Sequence, residues 1–137
     1  MDYCDRELTY ALKEVGYPIR PIPIGGARAG IPIYYDLPID HPDWRDCDAY
    51  HAPSLWQVDK WLRRRNLFVH ISYPLKVQND VFWNYEVIEG PWSDEENNPC
   101  VMASGGLFES YEDALMRGMK SAVELLKEKH HDKERTA

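Results

Sequence analysis

The sequence predicts an α+β domain in which helices pack on one face of a three-stranded antiparallel sheet, with core order α-β-β-β-α. A short helix and a Pro/Gly-rich extended arm precede this core. Three observations predict it. Two segments, Leu55–Leu62 and Tyr111–Leu126, carry apolar residues at helical spacing. Between them, two segments alternate apolar and polar residues at period 2. Before them, seven of the ten prolines crowd between Pro18 and Pro53, where neither a helix nor a central strand can run.

The elements follow in order. Leu8, Ala11, Leu12 and Val15 predict a helix over Asp5 to Val15, capped by Asp2 or Asp5 and stopped at Gly16 before Tyr17-Pro18. The arm after it holds Gly25, Gly26 and Gly30, with an edge-strand piece predicted at Ile31 to Tyr35. The second helix opens at Pro53 or Ser54, buries Leu55, Val58, Trp61 and Leu62, and ends near Asn66. Arg63, Arg64 and Arg65 load its last turn, where positive charge complements the helix dipole. L-F-V-H-I-S-Y and V-F-W-N-Y-E-V-I predict two strands joined through Pro74 to Asp80. A third strand is predicted at Cys100 to Ala103 and Gly106 to Phe108, broken at Ser104-Gly105. The closing helix is capped by Ser110, with Asp113 in a capping-box-like place. Its buried stripe is predicted as Tyr111, Leu115, Gly118, Ala122, Leu125 and Leu126.

At 137 residues the chain fits one domain. Residues 1–52 form the helix and arm packed on the domain, 53–130 form the core, and 131–137 form a tail that is expected to fray. A formal charge of −7 argues against a surface that grips nucleic acid throughout. Cys4, Cys47 and Cys100 are widely spaced, contain no C-x-x-C pair, and read as free thiols in a reducing compartment. Neither a signal-peptide pattern nor an apolar run long enough to span a bilayer is present, which predicts a cytoplasmic protein without a membrane partner.

Several constellations are candidates for chemistry. D-H-P-D-W-R-D-C-D-A-Y-H, Asp40 to His51, offers His41, Asp43, Asp46 and His51 as ligands for a metal-dependent enzyme. Its spacing fits neither H-E-x-x-H nor a calcium loop, and aspartates in such a segment cap turns, so no metal is predicted. G-G-A-R-A-G at Gly25 to Gly30 lacks the Lys and Ser/Thr of a phosphate loop. Cys47 with His41 or His51 would make a nucleophile pair on adjacency alone. His70 can pair with Glu86 if the strand register allows. No catalytic residue and no cofactor is predicted. Trp44, Trp56 and Trp92 fall outside the predicted core stripes and are interaction candidates, with Trp44 expected to pin the arm. Arg63, Arg64 and Arg65, with Lys60 and Trp56, offer a small nucleic-acid patch.

The αβββα order resembles a double-stranded-RNA-binding domain, whose last helix begins with phosphate-clamping lysines. Here that start is E-S-Y-E-D-A, acidic at Glu109, Glu112 and Asp113. P-S-L-W-Q-V-D-K-W-L-R and S-Y-E-D-A resemble a group of small phage and prophage proteins. These share a P-[ST]-x-x-x-[LV]-x-x-W-[LF]-R helix, aromatic strands and a closing [ST]-Y-E-x-A-L helix. The resemblance covers roughly residues 50 to 128 and implies a mobile-element context and an α+β fold, with no catalytic residues to carry over. The closing helix also resembles that of HicB-type antitoxins. The expected function is therefore a non-enzymatic phage-type accessory protein that binds a host or phage protein. A nucleic-acid-binding module using Arg63–Arg65 is the first alternative, and a metal-dependent enzyme built on the Asp40–His51 cluster is the second.

Overall fold

The architecture comes from a computed structural model that describes residues 2–38, 40–72, 75–90 and 100–136. Helix α1, Arg6–Glu14, begins where the Asp5 carboxylate accepts the Leu8 N–H at 2.8 Å. It ends before Gly16, which sits at φ 92. Helix α2, Leu55–Arg63, is fixed by a complete capping box: the Ser54 hydroxyl takes the Gln57 N–H, and the Gln57 side chain takes the Ser54 N–H. Past its end Asn66 adopts φ 62, a conformation that asparagine tolerates better than most residues. Residues 2 to 4 run antiparallel to this helix start. Cys4 N–H donates to Pro53 O, and Leu55 N–H donates to Asp2 O.

The arm folds into a small antiparallel sheet of β1, Ile33–Tyr35, and β2, Ala49–His51, with Tyr34 opposite Tyr50. A side-chain knot ties it to α1. Lys13 Nζ donates to Tyr50 Oη at 2.6 Å and to Asp36 at 3.2 Å, while Tyr50 Oη donates to the other Asp36 oxygen at 2.9 Å.

The main sheet contains four strands, not the predicted three. β3 is Leu67–Ile71, β4 is Leu75–Val77, β5 is Asp80–Glu89 and β6 is Cys100–Phe108. All pairings are antiparallel, and β5 is the common partner of the other three. The additional strand is L-K-V, placed by the sequence reading in the connection between strands. A two-residue turn with Gln78 at φ 57 folds Val77 back onto Asp80. The register steps by one between Ile71↔Tyr85 and Leu75↔Phe82. Nor is β6 broken at Ser104-Gly105. The glycine serves close approach instead of a turn, because a Cβ on Gly105 would lie 2.6 Å from the Tyr85 ring. Tyr73, the last residue of one predicted strand, lies outside the described residues.

Helix α3, Tyr111–Thr136, starts with the Ser110 hydroxyl accepting the Asp113 N–H at 3.0 Å, and its backbone stays helical beyond His131. Its ridge of small residues, Ala114, Gly118 and Ala122, is buried against the sheet. The predicted stripe is corrected at one end: Tyr111 is 44% exposed. One core joins all layers, with Leu8 and Leu12 of α1 packed with Val58 and Leu62 of α2, Val87 of β5 and Met119 and Val123 of α3. Lys120 Nζ bonds Asp5 at 2.7 Å and holds α3 to the start of α1.

Candidate functional site

Helix α2 has two faces. Leu55, Val58, Trp61 and Leu62 are buried, so Trp56, Asp59, Lys60 and Arg63 occupy the other side. Trp56 is 67% exposed, the Lys60 ammonium lies 5.5 Å from its ring, and Arg63 pairs with Asp59 at 2.7 Å, one helical turn away. Burial pushes the Asp59 carboxyl up against the opposing pull of Arg63. Between this face and the start of α3 lies a groove of about 370 Å³. Leu55, Val69 and Leu115 line it with Trp56 and Tyr111, and Asp2, Asp59 and Glu112 supply carboxylates. Trp83 holds the Tyr111 ring edge to face at 5.5 Å.

Of the predicted interaction tryptophans among the described residues, Trp56 lines this groove and Trp44 does not. Trp44 lies in a 3-10 turn, Trp44–Asp46, packed edge to face on Tyr35 at 5.6 Å, within the arm. Trp92 lies outside the described residues. The arginine patch is divided. Arg63 is paired with Asp59, and Arg65 stacks 3.6 Å from the centre of the Trp61 ring, where burial lowers its pKa. Arg64 is exposed at the helix cap and has no carboxylate partner among the described residues.

The Asp40–His51 residues do not converge. His41 Nδ1 accepts the Asp43 N–H at 3.1 Å, which closes a local turn. His51 Nε2 accepts the Arg28 N–H at 3.0 Å, and the Cys47 thiol donates to Trp44 O at 2.8 Å. Asp46 and Asp43 meet through their backbones. Among the described residues no three of His, Cys, Asp and Glu gather as a metal site. Cys47 has neither histidine as a hydrogen-bond partner, so the nucleophile pair does not form. Cys4 is 1% exposed, and desolvation followed by the Asp5 charge raises its thiol to about 12, which leaves it unreactive.

Leu67, Tyr85 and Val87 share one face of the main sheet and are buried in the core with residues of the helices. On the opposite face the register sets Phe68, Ile88 and Val101 in one row and His70, Glu86 and Ser104 in the next. The sequence left the His70–Glu86 pairing conditional on register, and they are direct cross-strand neighbours. A serine-hydrolase relay needs the imidazole between carboxylate and hydroxyl. Here the carboxylate is on the middle strand, so the row cannot act as one. Beside it lies a hollow of about 430 Å³ lined by Ser72, Asn84, Ser104 and the Gly105-Gly106 backbone. Asn84 Oδ1 accepts the Leu107 N–H at 3.1 Å and so is committed to structure.

Tyr111 is the groove residue that the sequence reading misplaced, because an aromatic at helical spacing reads as core. Its signal was size. The face of α3 that meets the sheet is marked by small residues, and Tyr111 opens the helix beside that ridge. Together these features define a one-sided α+β fold whose exposed aromatic groove lies between its last two helices. Comparison with protein-family models, curated proteins and solved structures finds no match.

Proposed function

We propose that this is a non-enzymatic protein that binds another protein through the α2–α3 groove, with Trp56 as the anchor. The observation that carries the reading is the 67% exposure of Trp56 beside a groove walled by Tyr111 and floored by Leu115 and Val69. A tryptophan left in water forgoes burial of an aromatic surface worth roughly 25 cal/mol per Å², and tryptophans dominate interface energetics where they are covered. Beside the Asp59–Arg63 pair, the carboxylates of Asp2 and Glu112 favour a partner that presents a basic residue. The resemblance to phage and prophage proteins belongs to the same proposal, which makes the partner a host or phage protein.

The test compares wild type, Trp56→Ala and Ile24→Ala as bait in host lysate, after thermal melts show equal folding. Ile24 is fully exposed in the arm and serves as the control. A partner retained by wild type and Ile24→Ala but weakened at least about 30-fold by Trp56→Ala, the loss of a 2 kcal/mol hot spot, supports the reading. An identical set of captured proteins with all three baits, or none with any, refutes it.

A further inference from the structure

A second cavity, of about 400 Å³, lies between the arm, the chain after α1 and the start of α2. Its polar lining includes Tyr3, Tyr17, Arg20, Arg28, His51 and Gln57, with the buried Ser54 at the α2 start. In a chain with 23 acidic residues, no Asp or Glu is among the described residues that line it. Neither Arg20 nor Arg28 has a carboxylate partner among the described residues, so two guanidinium charges stand uncompensated at one opening.

The hydrogen-bond network turns the other groups into donors as well. His51 Nε2 accepts the Arg28 N–H, so the ring proton sits on Nδ1 and makes it a donor. Gln57 spends its carbonyl oxygen on the Ser54 N–H and keeps its NH₂ free. The α2 terminus itself adds little, because the Ser54 hydroxyl already takes the Gln57 N–H. Tyr17 is held edge to face on Trp61 at 5.3 Å, and burial raises its phenol, so it stays protonated. Ile19 and Ile31 complete the wall with apolar surface.

We infer that this cavity binds a phosphomonoester, with Arg20 and Arg28 clamping the phosphoryl oxygens and the tyrosine and isoleucine surfaces taking the organic part. Arginine presents paired donors matched to phosphate oxygens. The volume, within the usual range of small-molecule sites, exceeds what a bare phosphate would fill. The site is independent of the Trp56 groove.

The experiment is calorimetric titration of the full chain with adenosine monophosphate, ribose 5-phosphate, inorganic phosphate and uncharged adenosine. The expected result is saturable 1:1 binding of at least one phosphomonoester, tighter than inorganic phosphate, with no heat from adenosine. Arg20→Gln and Arg28→Gln should each weaken it about 10-fold, as expected for one lost charge-assisted contact. Arg28→Lys should weaken it less than Arg28→Gln, and Arg64→Gln should leave it unchanged. Both cavity arginines are exposed, so the variants should fold, and unchanged melts would verify this. The inference is overturned by the absence of saturable binding of either phosphomonoester up to about 10 mM. Equal affinity for inorganic phosphate, or equal losses with Arg64→Gln, would overturn it too.

Discussion

Gly118→Ala should destabilise the protein, although the position is inside a helix, where alanine is normally the better residue. Helix propensity alone favours alanine by about 1 kcal/mol. The packing opposes it, because a Cβ at this position would lie 2.6 Å from Val69 Cγ1 and 3.2 Å from Tyr85 Cβ and Cγ. Valine has few χ1 options with which to retreat, and Tyr85 is 5% exposed, with its hydroxyl bonded to Ser121 at 3.0 Å. Overpacking of this kind costs about 1–3 kcal/mol, so the net change should be a loss of about 1 kcal/mol. That corresponds to a midpoint lowered by about 3–5 °C for a chain of this size. Urea unfolding followed by circular dichroism gives the sign directly. In a Val69→Ala background the obstructing methyl is gone, and the same substitution should become neutral or stabilising, which a double-mutant cycle reads as coupling. A Gly118→Ala variant more stable than wild type in the native background would refute the account of how α3 seats on the sheet.

Ser54→Ala removes one half of the α2 capping box at a residue 3% exposed; chemical denaturation should show a loss of about 1 kcal/mol, and an unchanged midpoint would show that the cap contributes nothing. Lys120→Met tests the link between α3 and α1. Burial works to lower the Lys120 pKa, but the Asp5 and Glu7 carboxylates outweigh it and raise the value above 10.5. A raised lysine stabilises fully below its unfolded pKa and loses that contribution as pH climbs through the folded one. The wild-type advantage, about 0.5–1 kcal/mol for a partly exposed pair, should hold from neutral pH to the ordinary lysine value and shrink above it. A difference that stays constant through the alkaline range would contradict the ion pair.

Local chemistry was legible and long-range placement was not. The Ser54 cap and the Asp5 start of α1 follow from side chains that bond their own neighbouring backbone, and the stop at Asn66 from a residue type that tolerates positive φ, so local sequence carries the information. The alternation in β3 and β5 is likewise a local pattern. L-K-V was too short to announce itself and becomes β4 only because Asp80–Phe82 lies alongside it. Ser104-Gly105 read as a break because glycine usually marks one, whereas here the Tyr85 ring needs the space. In the candidate groove Trp56 was recognisable from its place off the apolar stripe, but Tyr111 was not. Of the two cavity arginines, Arg20 carried no signal in the sequence, and Arg28 stood only within G-G-A-R-A-G, a segment that lacks the pattern of a phosphate loop. They are brought to one opening by pairings such as Ile22 N–H to Ala49 O and Arg28 N–H to His51, contacts between residues far apart in the chain.

The tie between Asp5 and Lys120 spans 115 positions of the chain, and Leu8 and Leu12 share a core with Met119 and Val123. During synthesis α1 therefore emerges before α3 and can complete the burial of its apolar face only once α3 has been made. At about 5–20 residues per second the interval between Asp5 and Lys120 lasts roughly 6 to 23 s, during which Leu8 and Leu12 await their α3 partners. Closure of the core is consequently a late event that joins the two ends of the described chain, and its rate is set by a long loop more than by the strength of any one contact.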